Sequence, residues 1–194
     1  MFEIRRYTSD DRKRWNEYVS KARNATFLFM REYMEYHSDR FHDYSLMFYK
    51  DKKLYALLPG HVKGDTYCSH LGLTYGGLIM NMNVTIVETC ELFKTLNDYL
   101  RANGIKKVVY RPIPWIYHIH PSEEDLYAIF WKCNARLSVR NIGTTINMSN
   151  NPRWRKDHIR RLRKAHQGGV TVQRDADISE FWQVLEDNLY KKFS

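Results

Sequence analysis

Cysteine, proline and glycine are scarce in this chain of 194 residues, with three, five and nine copies. The cysteines, Cys68, Cys90 and Cys133, are odd in number, far apart and form no CxxC pair. That pattern excludes a disulfide framework or zinc ribbon and points to a cytoplasmic protein with reduced, mostly buried thiols. No apolar run approaches the ~18 residues that a membrane span needs, so no membrane insertion is expected. The opening Met1-Phe2-Glu3-Ile4-Arg5-Arg6 lacks the basic, apolar and small-residue order of a secretory leader and reads as a first strand. Internal repeats and low-complexity linkers are missing too. Asn147 to Pro152 is the one break with linker character.

What remains is ample for a core. Apolar residues make up 43% and aromatics 14%, including fourteen tyrosines and five tryptophans, which favour half-buried positions with a polar tip. The length fits one large domain, or one domain and part of a second. Acidic residues are almost excluded from one stretch. Between Arg153 and Lys164, seven basic side chains face Asp157 alone, which accounts for two thirds of the net charge of +9. An anionic partner near this segment is expected, whereas a globally basic nucleic-acid binder is not required.

Periodicity assigns the elements. Trp15, Tyr18, Val19 and Ala22 form the stripe of a helix from about Ser9 to Ala22, and a second helical piece runs from Phe27 to His37. Ser45–Tyr49 and Lys53–Leu58, flanking Lys50-Asp51-Lys52, read as a β-hairpin ended by Pro59-Gly60, with a third strand from Tyr67 to His70. Thr85-x-x-Glu88 is a capping box opening a helix whose stripe is Leu92, Phe93, Leu96, Tyr99 and Leu100 and whose stop is Gly104. Lys106–Tyr110 is a strand. Pro121 and the acidic residues after it start a helix expected to bury Leu126, Tyr127, Phe130 and Trp131. A long strand over Arg136–Met148, the basic helix Arg153–Gln167, a strand at Val170–Val172 and a last helix Ile178–Tyr190 complete the reading. Strands interleaved with helices, plus an early hairpin, predict an α/β (α+β) fold with a mixed sheet covered by helices.

The stretch Ser69-His70-Leu71-Gly72-Leu73-Thr74-Tyr75-Gly76-Gly77 carries three glycines within six positions where a strand should end. Such a cluster marks positive φ or close approach to the backbone, in a ligand-facing loop or in a tight turn with bulges. His118-x-His120 presents two imidazoles at strand spacing, which is too few for a metal site, and no metal is expected.

Several segments together are similar to a known family. Asn24–Leu28, His37–Leu46, the Ser69–Gly77 loop, Tyr117 with Pro121, and the basic helix running into Gly168-Gly169-Val170 resemble FemAB-type members of the GNAT acyltransferase superfamily, from about Trp15 to Leu189. The superfamily's pyrophosphate signature, Gln/Arg-x-x-Gly-x-Gly/Ala, does not occur. The resemblance implies a first GNAT-like lobe over residues 1–150 and the beginning of a second, truncated lobe over 151–194, with substrates between the lobes. It implies transfer of an acyl group from acyl-CoA, or of an aminoacyl group from tRNA, to an amine acceptor such as an amino sugar or cell-envelope precursor.

Such a reaction needs a proton acceptor and a polarised carbonyl. His70 or Tyr75 are the candidates for the first, and amides near Gly76 and Gly77 for the second; a core or turn role is the alternative for each. Thr74 and Tyr117 would line the acceptor site. Arg31, Arg40 and Arg111 would grip an anionic acceptor, or be structural arginines. Arg160, Arg161, Arg163 and Lys164 would hold CoA phosphates or a tRNA backbone, or form a solvated basic face. A non-catalytic lobe binding an anionic or glycan-linked ligand, and an RNA-binding module built on helix 153–166, remain as alternatives.

Overall fold

The structure is a computed structural model that describes residues 1–36, 38–149, 153–174 and 177–193. The chain divides into two compact units, Met1–Val139 and Arg140–Ser194.

The first unit is built on two small sheets. Strands β1 (Phe2–Arg6), β2 (Leu46–Lys50), β3 (Lys53–Leu58) and β6 (Ile79–Met80) form an antiparallel sheet in the order β1-β2-β3-β6. Strands β4 (His61–Lys63), β5 (Thr66–Cys68) and β7 (Lys107–Val109) form a second sheet in which β5 pairs antiparallel with β4 and parallel with β7. The fold is therefore α/β with mixed pairing, flanked by helices. The expected hairpin forms, and Asp51 and Lys52 take the two positive φ values that a two-residue hairpin turn requires. The β2–β3 ladder ends at the Leu46–Leu58 pair, and Pro59-Gly60 leads the chain on into β4.

Both faces of the first sheet are covered, which is why β2 reads as a continuous apolar run. Leu46, Phe48, Ala56 and Leu58 point to one side, where they meet Leu92, Phe93, Leu96 and Leu100 of α3 (Ile86–Ala102). Met47, Tyr49 and Leu57 point to the other, against Trp15 and Val19 of α1 (Arg12–Lys21) and Met34 of α2 (Arg31–Glu35). The expected first helix begins as a 3-10 turn at Ser9–Asp11. The second splits into a 3-10 turn at Phe27–Phe29 and α2, separated by extended Met30, and its expected last residue, His37, lies outside the described residues.

Half of the capping box at Thr85 forms as the sequence predicts: the Thr85 hydroxyl accepts from the Glu88 amide at 3.4 Å. The other half does not. The Glu88 carboxylate turns toward the sheet, accepting from Tyr55 at 2.7 Å and pairing with Lys50, while the Thr85 amide donates to the Tyr55 hydroxyl.

Helix α4 (Glu124–Cys133) faces the opposite way from its predicted stripe. Asp125 and Ala128 are buried, while Tyr127, Phe130 and Trp131 are exposed, Phe130 by 71%. On the inward face Asp125 accepts a 2.5 Å hydrogen bond from Tyr110, and Ala128, Ile129 and Cys133 pack on the core, while Leu126 is half-buried.

The second unit carries α5 (Lys156–Gln167) and α6 (Ile178–Phe193). Gly169 at φ +79 ends α5, and the amides of Gly168, Gly169 and Val170 satisfy its last carbonyls. Two expected strands do not form. Residues 136–148 and 170–172 lie outside regular structure, because alternation supplies a pattern but not a ladder partner. Among the described residues no helix is long and apolar enough to cross a membrane.

Candidate functional site

Seven of the sequence-predicted residues of the first unit, His70, Thr74, Tyr75, Gly76, Gly77, Arg111 and Tyr117, lie on the loops that follow the parallel pair β5 and β7. The glycine loop leaves β5, and the segment Arg111–Tyr117 leaves β7. The last backbone bond of the ladder runs from the Ser69 amide to Val109 O at 2.9 Å. Beyond it the Ser69 hydroxyl accepts from the Arg111 amide at 2.7 Å, and the Gly76 amide donates to Arg111 O at 3.1 Å. The loop thus folds back on itself. A Cβ on Gly76 would stand 2.0 Å from Ser69 O, and one on Gly77, at φ +91, within 3.3 Å of Arg111 O and the Ile113 amide. These two glycines serve close approach of protein to protein, and the Gly76 amide is already committed.

His70 is 2% exposed and sits at φ +49, with its ring beside Phe41 and 5.6 Å from that of His61. Burial holds His61 below the usual histidine range, partly offset by Asp43. Tyr75 is buried as well. Its hydroxyl donates to Thr26 at 3.0 Å, and burial raises its proton affinity, so it is a neutral phenol at physiological pH. Its ring stacks on Tyr117 with centroids 5.2 Å apart. Tyr117 is 47% exposed and ends a 3-10 turn, Trp115–Tyr117, so it presents an aromatic face backed by Tyr75. Thr74 and Arg111 are exposed as well.

The other arginines are not part of this cluster. Arg31 is 1% exposed, paired with Asp43 at 3.0 Å and held between the rings of Tyr7 and Trp15. Arg40 is an exposed side chain beside Asp39. Arg160, Arg161, Arg163 and Lys164 lie exposed on α5 in the second unit, where Trp154, His158, Leu162 and Ala165 line a shallow apolar recess of about 320 Å³.

Sequence reasoning missed a polar cluster after β7. His118 Nε2 lies 3.2 Å from Ile113 O, and His118 Nδ1 lies 3.3 Å from the Ser122 hydroxyl. Burial lowers the proton affinity of His118. Next to it, Asp125 accepts from Tyr110, whose oxygen in turn accepts from the Leu78 amide at 2.7 Å, and burial raises the Asp125 carboxyl. The i, i+4 spacing of His118 and Ser122 was the available signal, masked by the more conspicuous His-x-His.

A second groove, of about 660 Å³, runs between α3 and α4, lined by Cys90, Glu91, Lys94, Asp98, Tyr127 and Trp131. It contains no residue of the glycine loop. Cys68, Cys90 and Cys133 are free thiols. Among the described residues no three His, Cys, Asp or Glu side chains are grouped to hold a metal ion.

No protein-family profile matches this chain. No curated protein matches it either. Solved structures of an aminoglycoside acetyltransferase from an uncultured soil metagenomic sample are among those found similar to it. The complex with trehalose is 15% identical and the complex with sisomicin 14%, each with a TM-score of 0.38 over 75% of this chain and 97% of that one. A TM-score of 0.38 is too low to carry a shared fold or function.

Proposed function

We propose that the ends of β5 and β7 form an acyl-transfer site of the GNAT/FemAB type, where an acyl group passes from acyl-CoA to the amine of a small, sugar-like or cell-envelope acceptor. One observation carries this reading: seven residues selected from sequence, His70, Thr74, Tyr75, Gly76, Gly77, Arg111 and Tyr117, fall on the two loops that leave adjacent parallel strands. In open α/β sheets ligands bind outside the carboxyl ends of such strands, where neighbouring chains diverge. The sequence resemblance supplies the reaction class. Thr74, Arg111 and Tyr117 are the exposed members and would meet the acceptor, with Tyr75 stacked behind Tyr117.

The second unit keeps the anion-binding reading. With no side chain of α5 buried, its basic face is open to CoA phosphates, or to RNA in the alternative reading.

Acetyl-CoA added to the purified chain tests the proposal. A ligand present at 100 times its dissociation constant stabilises the folded state by about 2.7 kcal/mol, which a melting curve resolves easily. A rise specific to acetyl-CoA, followed by thiol release when amines such as glucosamine or ethanolamine are supplied, supports it. A folded chain that neither shifts nor releases thiol overturns it. Affinity for RNA alone, falling steeply with salt, would establish the alternative.

A further inference from the structure

We propose that His118, acting through the Ser122 hydroxyl, takes up the proton released by the acceptor amine at this site. The inference rests on the acyl-transfer reading and adds the proton path that the buried His70 and Tyr75 do not open to solvent.

The geometry sets the imidazole in one form. A carbonyl oxygen only accepts, so Ile113 O at 3.2 Å fixes the hydrogen on Nε2 and leaves the lone pair on Nδ1. Ser122, 3.3 Å from that lone pair, then donates its hydroxyl hydrogen to it. A nucleophile-side hydroxyl, a base and a group orienting the base are the three parts of a proton relay. Half-burial keeps the ring unprotonated at neutral pH, as a base must be. The charged groups around it are Glu124 and Asp125 from α4, which favour the imidazolium, and Arg23 from the segment after α1, which opposes it.

The relay adjoins the glycine loop. Ile113, which orients His118, has its amide 3.2 Å from the space a Cβ on Gly77 would take. Tyr117, stacked on Tyr75, is the residue before His118. Ser122 is half-buried.

The reaction balances without a co-reactant. The amine nitrogen attacks the thioester carbonyl, the C–N bond forms, and the C–S bond breaks as the thiolate leaves. The surplus proton on nitrogen passes to Ser122 Oγ while the Ser122 proton moves to His118 Nδ1. The imidazolium then returns it to the thiolate, giving amide and thiol.

Two measurements on the full chain test this. Nitrogen-15 spectra of the imidazole should show His118 as the Nε2–H tautomer, titrating below the usual histidine value, with Ser122→Ala changing the Nδ1 signal; this arm needs no turnover. The other, acetyl transfer from acetyl-CoA to glucosamine and ethanolamine across pH, should fall on the acid side as His118 protonates. His118→Gln should remove that limb and lower kcat by about 10²-fold or more with KM little changed. Ser122→Ala, which keeps the imidazole, should lower kcat less. A wild-type chain with no transfer to either amine overturns the acyl-transfer reading and this inference with it. An active chain whose pH profile survives His118→Gln, or a His118 found as the Nδ1–H tautomer, overturns the relay alone.

Discussion

Arg31 and Asp43 pair at 3.0 Å in the first unit, with the guanidinium sandwiched 3.3 Å from the centroid of Tyr7 and 3.8 Å from that of Trp15. Arg31 is inside the core, whereas Asp43 keeps a third of its side chain in solvent and also accepts from the Ser45 amide. Removing the two partners therefore has unequal consequences. Asp43→Ala leaves a buried charge without its counter-ion and should cost about 3 kcal/mol. Arg31→Met keeps the volume between the rings, leaves Asp43 partly hydrated, and should cost less. Urea unfolding of the two variants checks the order, and the reverse order would place the dominant charge on Asp43.

Gly76→Ala should be one of the most damaging small substitutions in the chain. The added methyl meets backbone, Ser69 O at 2.0 Å, which has no rotamer to yield. A loss of about 3 kcal/mol is expected. Gly143→Ala, where a Cβ meets nothing within 4 Å, is the control and should stay within about 0.5 kcal/mol. Equal unfolding midpoints for the two would show that the loop does not pack as described.

Asp125 gives stability a pH signature. Burial raises its carboxyl above the unfolded value, so the folded state favours the protonated form. Its contribution is greatest below the unfolded pKa of about 3.9 and is lost as pH rises through the higher folded value. Asp125→Asn, which can still accept from Tyr110, should gain stability relative to the wild type as pH increases above about 4. The difference between the two unfolding free energies, measured from pH 4 to 7, should climb and then level off. A difference that falls over that range would reverse the assignment.

The basic face of α5 should be expendable for folding. Its side chains are exposed, so Arg160→Gln, Arg161→Gln and Arg163→Gln combined should leave the unfolding free energy within about 0.5 kcal/mol per site. Binding of polyanions such as heparin should weaken and lose part of its salt dependence. A large stability loss would instead identify a packed helix.

The sequence was legible where one period dominated. The β2–β3 hairpin and α3 followed directly from alternation, turn residues and the stripe at Leu92, Phe93, Leu96 and Leu100. Helix α4 resists this reading because its apolar residues outnumber its buried ones, and the inward face carries a carboxylate, Asp125, beside Ala128, Ile129 and Cys133. The glycine cluster marked the right place for a conformational reason that sequence could not separate from a functional one. Gly76 and Gly77 are small because Ser69 and Arg111–Ile113 lie against them. Arg31 looked like an available charge because burial of an arginine depends on Tyr7, Trp15 and Asp43 meeting around it, and those residues are distant in the chain.

Amide hydrogen exchange with and without acetyl-CoA tests the central claim most directly. If the loops leaving β5 and β7 form the acyl-transfer site, saturating acetyl-CoA should slow exchange in residues 69–77 and 111–122, and desulfo-CoA should protect at least part of the same region. Protection confined to the α3–α4 groove or to α5, with both loops unchanged, would contradict the placement of the site.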